Sequence, residues 1–397
     1  MNSKIELLAP AGDIERAKTA FYYGADAIYL GAKLFSLRAN AVNFEYDELK
    51  EIIDYAHEIK RKVYVVSNII CHNEHLKDLD HHLKIINQLN PNGVIAADPF
   101  IILKLKKEFP NLEIHVSTQQ SITNSKAALF FKKQGATRIV TAREVSKDEL
   151  ALMIKNINND LEVETFIHGA VCVSYSGRCM MSNYFCLRDA NTGGCAQPCR
   201  WSWTLFSKDK IYSKNFSMSP KDMSQAENIK ELIDVGVKSF KIEGRMKSVH
   251  YVATVVNVYR KIIDAIINKQ KINFDYENEL KKTENRLTSH AWYHGRPSCK
   301  QMLFHDEARR VNQVFAFIVS KKIDNTKYEI IAKNNFSVKD KFEVIGIKQH
   351  NLIFNIKKIW DSNNLEIDTV KTPMRKYTIE IDGDFSLEIN AICRLIK

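Results

Sequence analysis

Short, wholly apolar runs alternate along the first two-thirds of the chain with longer stretches whose apolar positions recur at helical spacing. Strands are predicted at 5–8, 27–30, 62–66, 93–96, 112–116, 138–141, 163–167 and 239–242. Helices are predicted at 13–23, 46–61, 76–89, 100–109, 125–134, 146–158, 226–235 and 249–268, with Ser146 placed as an N-cap. Alternation of this kind predicts an α/β fold with a parallel sheet and right-handed crossovers. Eight such units closing on themselves make a TIM-type (β/α)8 barrel. The alternative is an open doubly wound sheet, which the lack of a G-x-G-x-x-G after the first strand disfavours.

The eighth unit is interrupted by a long excursion at about 169–222, with a hairpin expected at 201–206 and its turn at 207–210. Loops of that length in a compact domain are usually functional. In a barrel, a segment that follows a strand's C-terminal end lies on the active-site face. The barrel domain is thus expected to span 1–271, with the insertion at 169–222. Residues 272–312 are polar and read as a helical linker. Short apolar runs at 328–332, 342–345, 352–356, 365–367 and 377–381 predict a small β-barrel domain over 313–397.

Composition adds little to the fold and something to the partner. The 397 residues are 45% hydrophobic and 26% charged, which is ordinary for a globular protein. No apolar run approaches the roughly 18–20 residues that span a bilayer. The N-terminus carries no apolar stretch with a cleavage site, so a cytoplasmic protein without a membrane partner is expected. The net charge of +11 favours polyanionic partners, nucleic acid above all, unless it reflects only a Lys-rich background.

Five of the eight cysteines fall between 172 and 199. Disulfides are not expected in a reducing compartment, so a cluster of thiols points to metal or redox chemistry. Cys172, Cys179, Cys195 and Cys199 are spaced C-x6-C-x15-C-x3-C. Thiolates are soft donors that suit iron–sulfur clusters and zinc. Structural zinc sites use tight C-x2–4-C pairs, and only Cys195 with Cys199 has that spacing. An iron–sulfur cluster is the leading reading, with zinc or no metal as alternatives. Cys186, inside the x15 span, reads as a small buried hydrophobe, as do Cys71, Cys299 and Cys393.

The same stretch carries a resemblance. Glu164, Phe166, Gly169, Ala170, Val171, Cys172, Gly177, Cys179 and Ser182 match E-x-F-x2-G-[AS]-aliphatic-C-x4-G-x-C with a nearby Ser, the pattern of the peptidase U-32 family. Leu8–Gly12, Gly24–Gly31, Lys241–Arg245 with Lys247–Ser248, and Lys333–Val338 also resemble segments of that family. The chain is most similar to the branch that hydroxylates tRNA. The resemblance implies a 4Fe–4S cluster, prephenate as co-substrate or required metabolite, and formation of 5-hydroxyuridine at the wobble position of tRNA. The 207–210 hairpin is shorter than in longer members, and Cys186 lies outside the pattern.

Residues at the C-terminal ends of barrel strands face one mouth and are site candidates. His168 and Glu243 are candidates for proton transfer. The structural alternatives are a satisfied barrel-mouth histidine and an anchor for Arg245. Asn68 and Gln119 are candidates for substrate binding, and so are Arg38, Arg143, Lys241 and Arg245, because a dicarboxylate such as prephenate needs paired cations. For the cations, the alternative is a ring of structural ion pairs. Trp201 and Trp203 beside Arg200 are either core or a platform for an unpaired base. The histidines at 72, 75, 81 and 82 read as solvated loop residues. A protease of the collagenase-like type implied by the family's name is the second function, and a non-catalytic RNA-binding barrel the third. No G-x-S-x-G, H-E-x-x-H or clear Cys–His pair supports the protease.

Overall fold

The computed structural model describes residues 5–37, 43–208, 210–283, 286–305, 313–347, 350–383 and 385–396. The chain divides into two compact units. The first comprises 1–247, 259–272 and 286–308, and the second comprises 248–258, 273–285 and 309–397.

In the first unit, strands β1 (Glu6–Pro10), β2 (Ala27–Gly31), β3 (Lys62–Ser67), β4 (Gly93–Ala96), β5 (Glu113–Val116), β6 (Arg138–Val140) and β7 (Glu162–Gly169) pair in sequence order, all parallel. Between them run α1 (Ile14–Tyr22), α2 (Tyr46–Glu58), α3 (Asn73–Leu89), α4 (Pro99–Glu108), α5 (Ser125–Lys133) and α6 (Lys147–Ile157). The excursion after β7 holds α7 (Met181–Cys186), β8 (Trp203–Ser207), β9 (Lys210–Pro220) and β10 (Asp222–Ser224). Helix α8 (Ile229–Asp234) then leads to β11 (Ser239–Ile242), followed by α9 (Val249–Ile267). Strand β11 pairs with β7 on one side and β1 on the other. Eight parallel strands therefore close into the expected barrel. The strands were legible as continuous apolar runs because parallel strands are covered on both faces; β2 and β4, for example, are buried at every position.

Helix ends follow local chemistry. Ser146 and Glu149 form a reciprocal capping box at the start of α6, the Ser146 Oγ accepting from the Glu149 amide and the Glu149 carboxylate accepting from the Ser146 amide at 2.9 Å. Ser146→Ala should cost about 1 kcal/mol, measured as a lower urea midpoint at unchanged slope.

Residues 272–312 differ from the helical linker expected. One short helix, α10 (Tyr276–Lys281), is followed by β12 (Thr288–Ser289) and β13 (Met302–His305), which pair with β10 and β9. Polarity without a 3.6-residue period is a weak helix signal. What holds the returning segment is tertiary: Arg286 grips Asp222 with two hydrogen bonds of 2.9 and 3.0 Å.

A bulge at the end of β7 matters for the site. Lys241 pairs with Phe166 but Ile242 pairs with His168, so Ile167 is an extra residue in β7. Glu164 and Phe166 face the barrel interior. The extra residue turns His168 to the opposite face, where its Nδ1 lies 3.2 Å from the hydroxyl of Tyr259 on α9.

The second unit contains a six-stranded antiparallel barrel in the order Lys341–Ile345, Ile392–Ile396, Gln313–Lys322, Lys327–Ala332, Lys376–Asp382 and His350–Trp360, which pairs back to Lys341–Ile345. Phe317, Phe342, Tyr328 and Ile379 lie in its core. Buried Arg394 pairs with Glu279 and Glu343, and Lys282 bonds both carboxylates, so this apolar unit still balances two buried negative charges against two positive ones. Among the described residues, no helix of the chain is long and apolar enough to cross a membrane.

Candidate active site at the barrel mouth

The barrel interior is polar from floor to mouth along one line. At the floor, Glu6 accepts from Tyr64 (2.7 Å), Ser239 (2.9 Å) and Arg138 (2.5 Å). Above it, Glu164 accepts from Arg138 (3.1 Å), Ser239 (3.0 Å) and Lys241 (2.8 Å) and has no solvent exposure. Burial raises the Glu164 pKa, but the charges of Lys241 and Arg138 outweigh it, and the net shift is downward. The magnitudes agree. Desolvation costs several kcal/mol, whereas each cation at about 3 Å contributes roughly 5 kcal/mol at an effective dielectric of about 20. Glu164 is therefore a fixed anion holding the Lys241 ammonium upright. That ammonium lies 4.5 Å from the Tyr29 ring centre.

Lys241 is part of the wall of an inner chamber of about 80 Å3, with Tyr29, Asn68, Gln119, Phe166 and Arg245 among the other lining residues. Asn68 accepts from the Leu37 amide at 3.3 Å. Gln119 Oε1 is buried without a hydrogen-bond partner among the described residues. Arg245 is almost fully buried, giving hydrogen bonds of 2.6 Å to Ser36 and to Asn43. Its guanidinium passes so close to Gly31 that a Cβ there would lie 2.7 Å from it, so the end of β2 must lack a side chain.

Arg143 and Glu243 form a 3.0 Å ion pair that lines both the inner chamber and an outer cavity of about 290 Å3. Arg143 also donates to Ser176 (2.8 Å) and stacks over Phe166, 3.9 Å from its ring centre. The outer cavity is further lined by Arg200, Lys247 and Arg286 and by the three thiols of Cys172, Cys195 and Cys199. Six cations line the two chambers, and Arg143, Lys241 and Arg286 among them are paired with Glu243, Glu164 and Asp222, so positive charge still exceeds negative there. A concave site with that excess of cations attracts anions.

The cysteine loop is pinned to this mouth. Ser121 donates to the Ser176 carbonyl at 2.7 Å, and Gly177 turns there at φ +77°. A Cβ on Gly177 would stand 2.2 Å from the Gln119 carbonyl oxygen. Gly177→Ala should therefore cost about 1–3 kcal/mol of backbone strain and detach the loop, seen as faster proteolytic nicking between 172 and 199. Further along, Ser182 accepts from the Ala196 amide at 2.9 Å. The indoles of Trp201 and Trp203 donate to the carbonyls of Ala196 (3.2 Å) and Pro198 (2.9 Å). The two tryptophans stack on each other with ring centres 5.7 Å apart, so their first task is to brace this loop.

Burial pushes the Cys199 thiol pKa up; Arg200 pulls it down, and Cys172, Cys195 and Cys179 push it further up. The four sulfurs are thus electrostatic neighbours. The donor set is four thiols with no imidazole or carboxylate, the chemistry that holds an iron–sulfur cluster. No three His, Cys, Asp or Glu among the described residues converge as a group that could hold a metal ion. The fit to a cluster rests on the donor set, four soft thiols with only one tight C-x2–4-C pair. Cys186 does not line the outer cavity.

Two expectations about single residues change. His168 lines neither chamber; burial drives its pKa down to about 3, so it is a neutral wall residue bonded to Tyr259. Arg38 lies outside the described residues. Of the 72–82 histidines, His82 is buried on α3, between Ser67 and Tyr46. Arg200, Lys247 and Arg286 were missed as lining residues. Arg200 had a signal, since it follows Cys199 of the four-cysteine pattern. Arg286 had none, because only the folding back of its segment brings it to the mouth.

A closed (β/α)8 barrel with a cationic C-terminal mouth and a four-cysteine loop over it defines a TIM-barrel protein. The chain belongs to peptidase family U32, whose profile matches residues 12–303, with the family's C-terminal domain matched over 311–394. The tRNA hydroxylation protein P1 of Bacillus subtilis is 41% identical over 96% of this chain and 93% of its own length. An uncharacterized protease of Methanocaldococcus jannaschii is 38% identical over 73% of each chain. The 23S rRNA 5-hydroxycytidine C2501 synthase of Escherichia coli is 38% identical over 67% of this chain and 40% of its own.

Proposed function

We propose that this protein is a tRNA-modifying iron–sulfur enzyme that forms 5-hydroxyuridine at the wobble position, with prephenate as its required metabolite. One observation carries the reading: a cation-rich double chamber whose outer wall bears the thiols of Cys172, Cys195 and Cys199. Two of the relatives above are named for RNA hydroxylation, and near-full-length similarity to one of them supports the reading.

The four thiolates would hold a 4Fe–4S cluster, which supplies electron-transfer or Lewis-acid chemistry at the wall of the outer cavity. The protein's own groups bind and orient. Lys241, Arg245 and Arg143 present positive charge to the carboxylates of prephenate, with Lys241 held in place by Glu164. Gln119 offers an unpartnered carbonyl oxygen to a donor on the ligand. Glu243, paired to Arg143 between the two chambers, is the carboxylate placed to hold or take a proton there. The protease reading finds less support. No histidine lines either chamber, so neither Cys172 nor Ser176 has an imidazole partner among the lining residues.

Mass spectrometry of tRNA nucleosides from a deletion strain tests the proposal. Wobble 5-hydroxyuridine should be lost and should return on complementation. Unchanged levels in a strain without a second family member would sink it.

A further inference from the structure

The excursion does more than present cysteines. From the outer cavity's wall at Cys199 and Arg200 the chain runs directly through Trp201 into the β8–β9 hairpin. Beyond Trp203 this ribbon is uncovered on both faces. Phe206 is 69% exposed, Tyr212 64% and Ile211 54%. Phe206 and Ile211 sit opposite each other in the ladder. A two-stranded hairpin is marginal in water by itself, and large apolar side chains at its tip lower its solubility further. Such a surface is expected to be covered in use.

Charge indicates by what. Lys208, Lys210 and Lys214 are all exposed on the ribbon, and the Lys210 ammonium lies 5.8 Å from the Tyr212 ring centre. Asp209 is the one acidic residue in the sequence from 203 to 216. Exposed aromatic rings interleaved with lysines match a single-stranded nucleic acid, whose bases stack on the rings while its phosphates take the cations. A second protein copy, itself cationic overall, would meet these lysines with like charge.

We infer that the β8–β9 ribbon is an RNA-docking arm: it holds an unpaired RNA loop by stacking on Phe206 and Tyr212 and by phosphate contacts to Lys208, Lys210 and Lys214. The arm therefore holds the loop next to the outer cavity, into which one nucleotide is delivered. This rests on the RNA-modifying reading above and adds a surface to it. It also separates two tasks within one excursion. The Trp201–Trp203 pair braces the cysteine loop, and the distal rings meet the substrate.

The test uses the full-length holoprotein and an unmodified anticodon stem–loop RNA, with binding followed by fluorescence anisotropy across a salt series. Phe206→Ala/Tyr212→Ala should weaken binding by on the order of tenfold or more at unchanged salt slope, since a stacked base contributes that much. Lys208→Gln/Lys210→Gln/Lys214→Gln should also weaken binding and should lower the slope of log K against log salt by about 2, at about 0.7 per phosphate contact. Both variants lie beyond the braced part of the loop, so their iron content and melting temperature should equal the parent's, which separates lost contacts from lost folding. If the parent binds and modifies RNA but both variants bind it equally well, the arm is refuted and the functional reading stands. If the parent binds no RNA, both fall. If the parent is a dimer that the aromatic variant dissociates at unchanged RNA affinity, the ribbon is a contact between copies and the arm is refuted.

Discussion

Replacing Cys172 by alanine should abolish the colour of the anaerobically purified protein and lower wobble hydroxylation at least about a hundredfold, while RNA affinity is unchanged. Even outer-shell partners of a metal site are typically worth about 10- to 100-fold, and Cys172 is proposed as a ligand. It is also a residue common to the linings of the inner chamber and the outer cavity. Loss of its sulfur should therefore affect the reaction, whereas the distal β8–β9 ribbon stays in place. The control is Cys186→Ala, which should keep both colour and activity, since that thiol stands outside the four-cysteine pattern and does not line the outer cavity. A parent protein that is colourless and holds one zinc would overturn the cluster. A colourless Cys172→Ala protein that modifies tRNA at the parent's rate would reduce the cluster to a structural staple.

Replacing Glu164 by glutamine is the change expected to damage the barrel most. Glutamine keeps the volume and removes the charge. Arg138 and Lys241 then remain buried, 3% and 5% exposed at their side chains, with one fewer counter-ion. Breaking a buried pair from one side costs about 3–5 kcal/mol, which for a unit of this size lowers the melting temperature by roughly 10 °C. Calorimetry measures it. The pH dependence has a definite sign. The folded pKa values of Glu164 and Glu6 lie below the ordinary carboxylate value despite burial, because Arg138, and for Glu164 also Lys241, hold the ionised forms. Their stabilisation is complete above the unfolded carboxylate value of about 4.3 and is lost as pH falls through the folded values. Parent stability should drop with acid below about pH 4.3, and the Glu164→Gln protein should show a shallower drop, by the proton that Glu164 no longer takes up. An equally steep acid limb in the variant would remove Glu164 from that role.

The barrel was legible because its signal is local: each buried parallel strand is a short apolar run, and each helix repeats at 3.6. The cysteine set was legible because its spacing is covalent. What failed to show depended on departures from local rule. Its place at the C-terminal end of β7 made His168 a mouth candidate, but the extra residue at Ile167 turns it to the opposite face. No pattern in the sequence announces that bulge. Strand β10 runs antiparallel to the end of β7, and β12 returns beside it; both segments are too short for a hydrophobic period to define. Arg286 reaches the outer cavity only because its segment folds back. Cationic character was visible in the net charge, but its concentration at one mouth is a tertiary fact.

The closure of the barrel has a consequence for biosynthesis. Strand β11 completes the cylinder by meeting β1, and Ser239 bonds Glu6 across 233 positions of chain. All four cysteines lie before that strand. On the ribosome the thiols leave the exit tunnel while the cylinder is still an open sheet, and the pair Glu164–Lys241 cannot form until β11 follows. Delivery of iron to the proposed cluster would thus have a window that precedes closure, before the barrel wall behind the cysteine loop is complete.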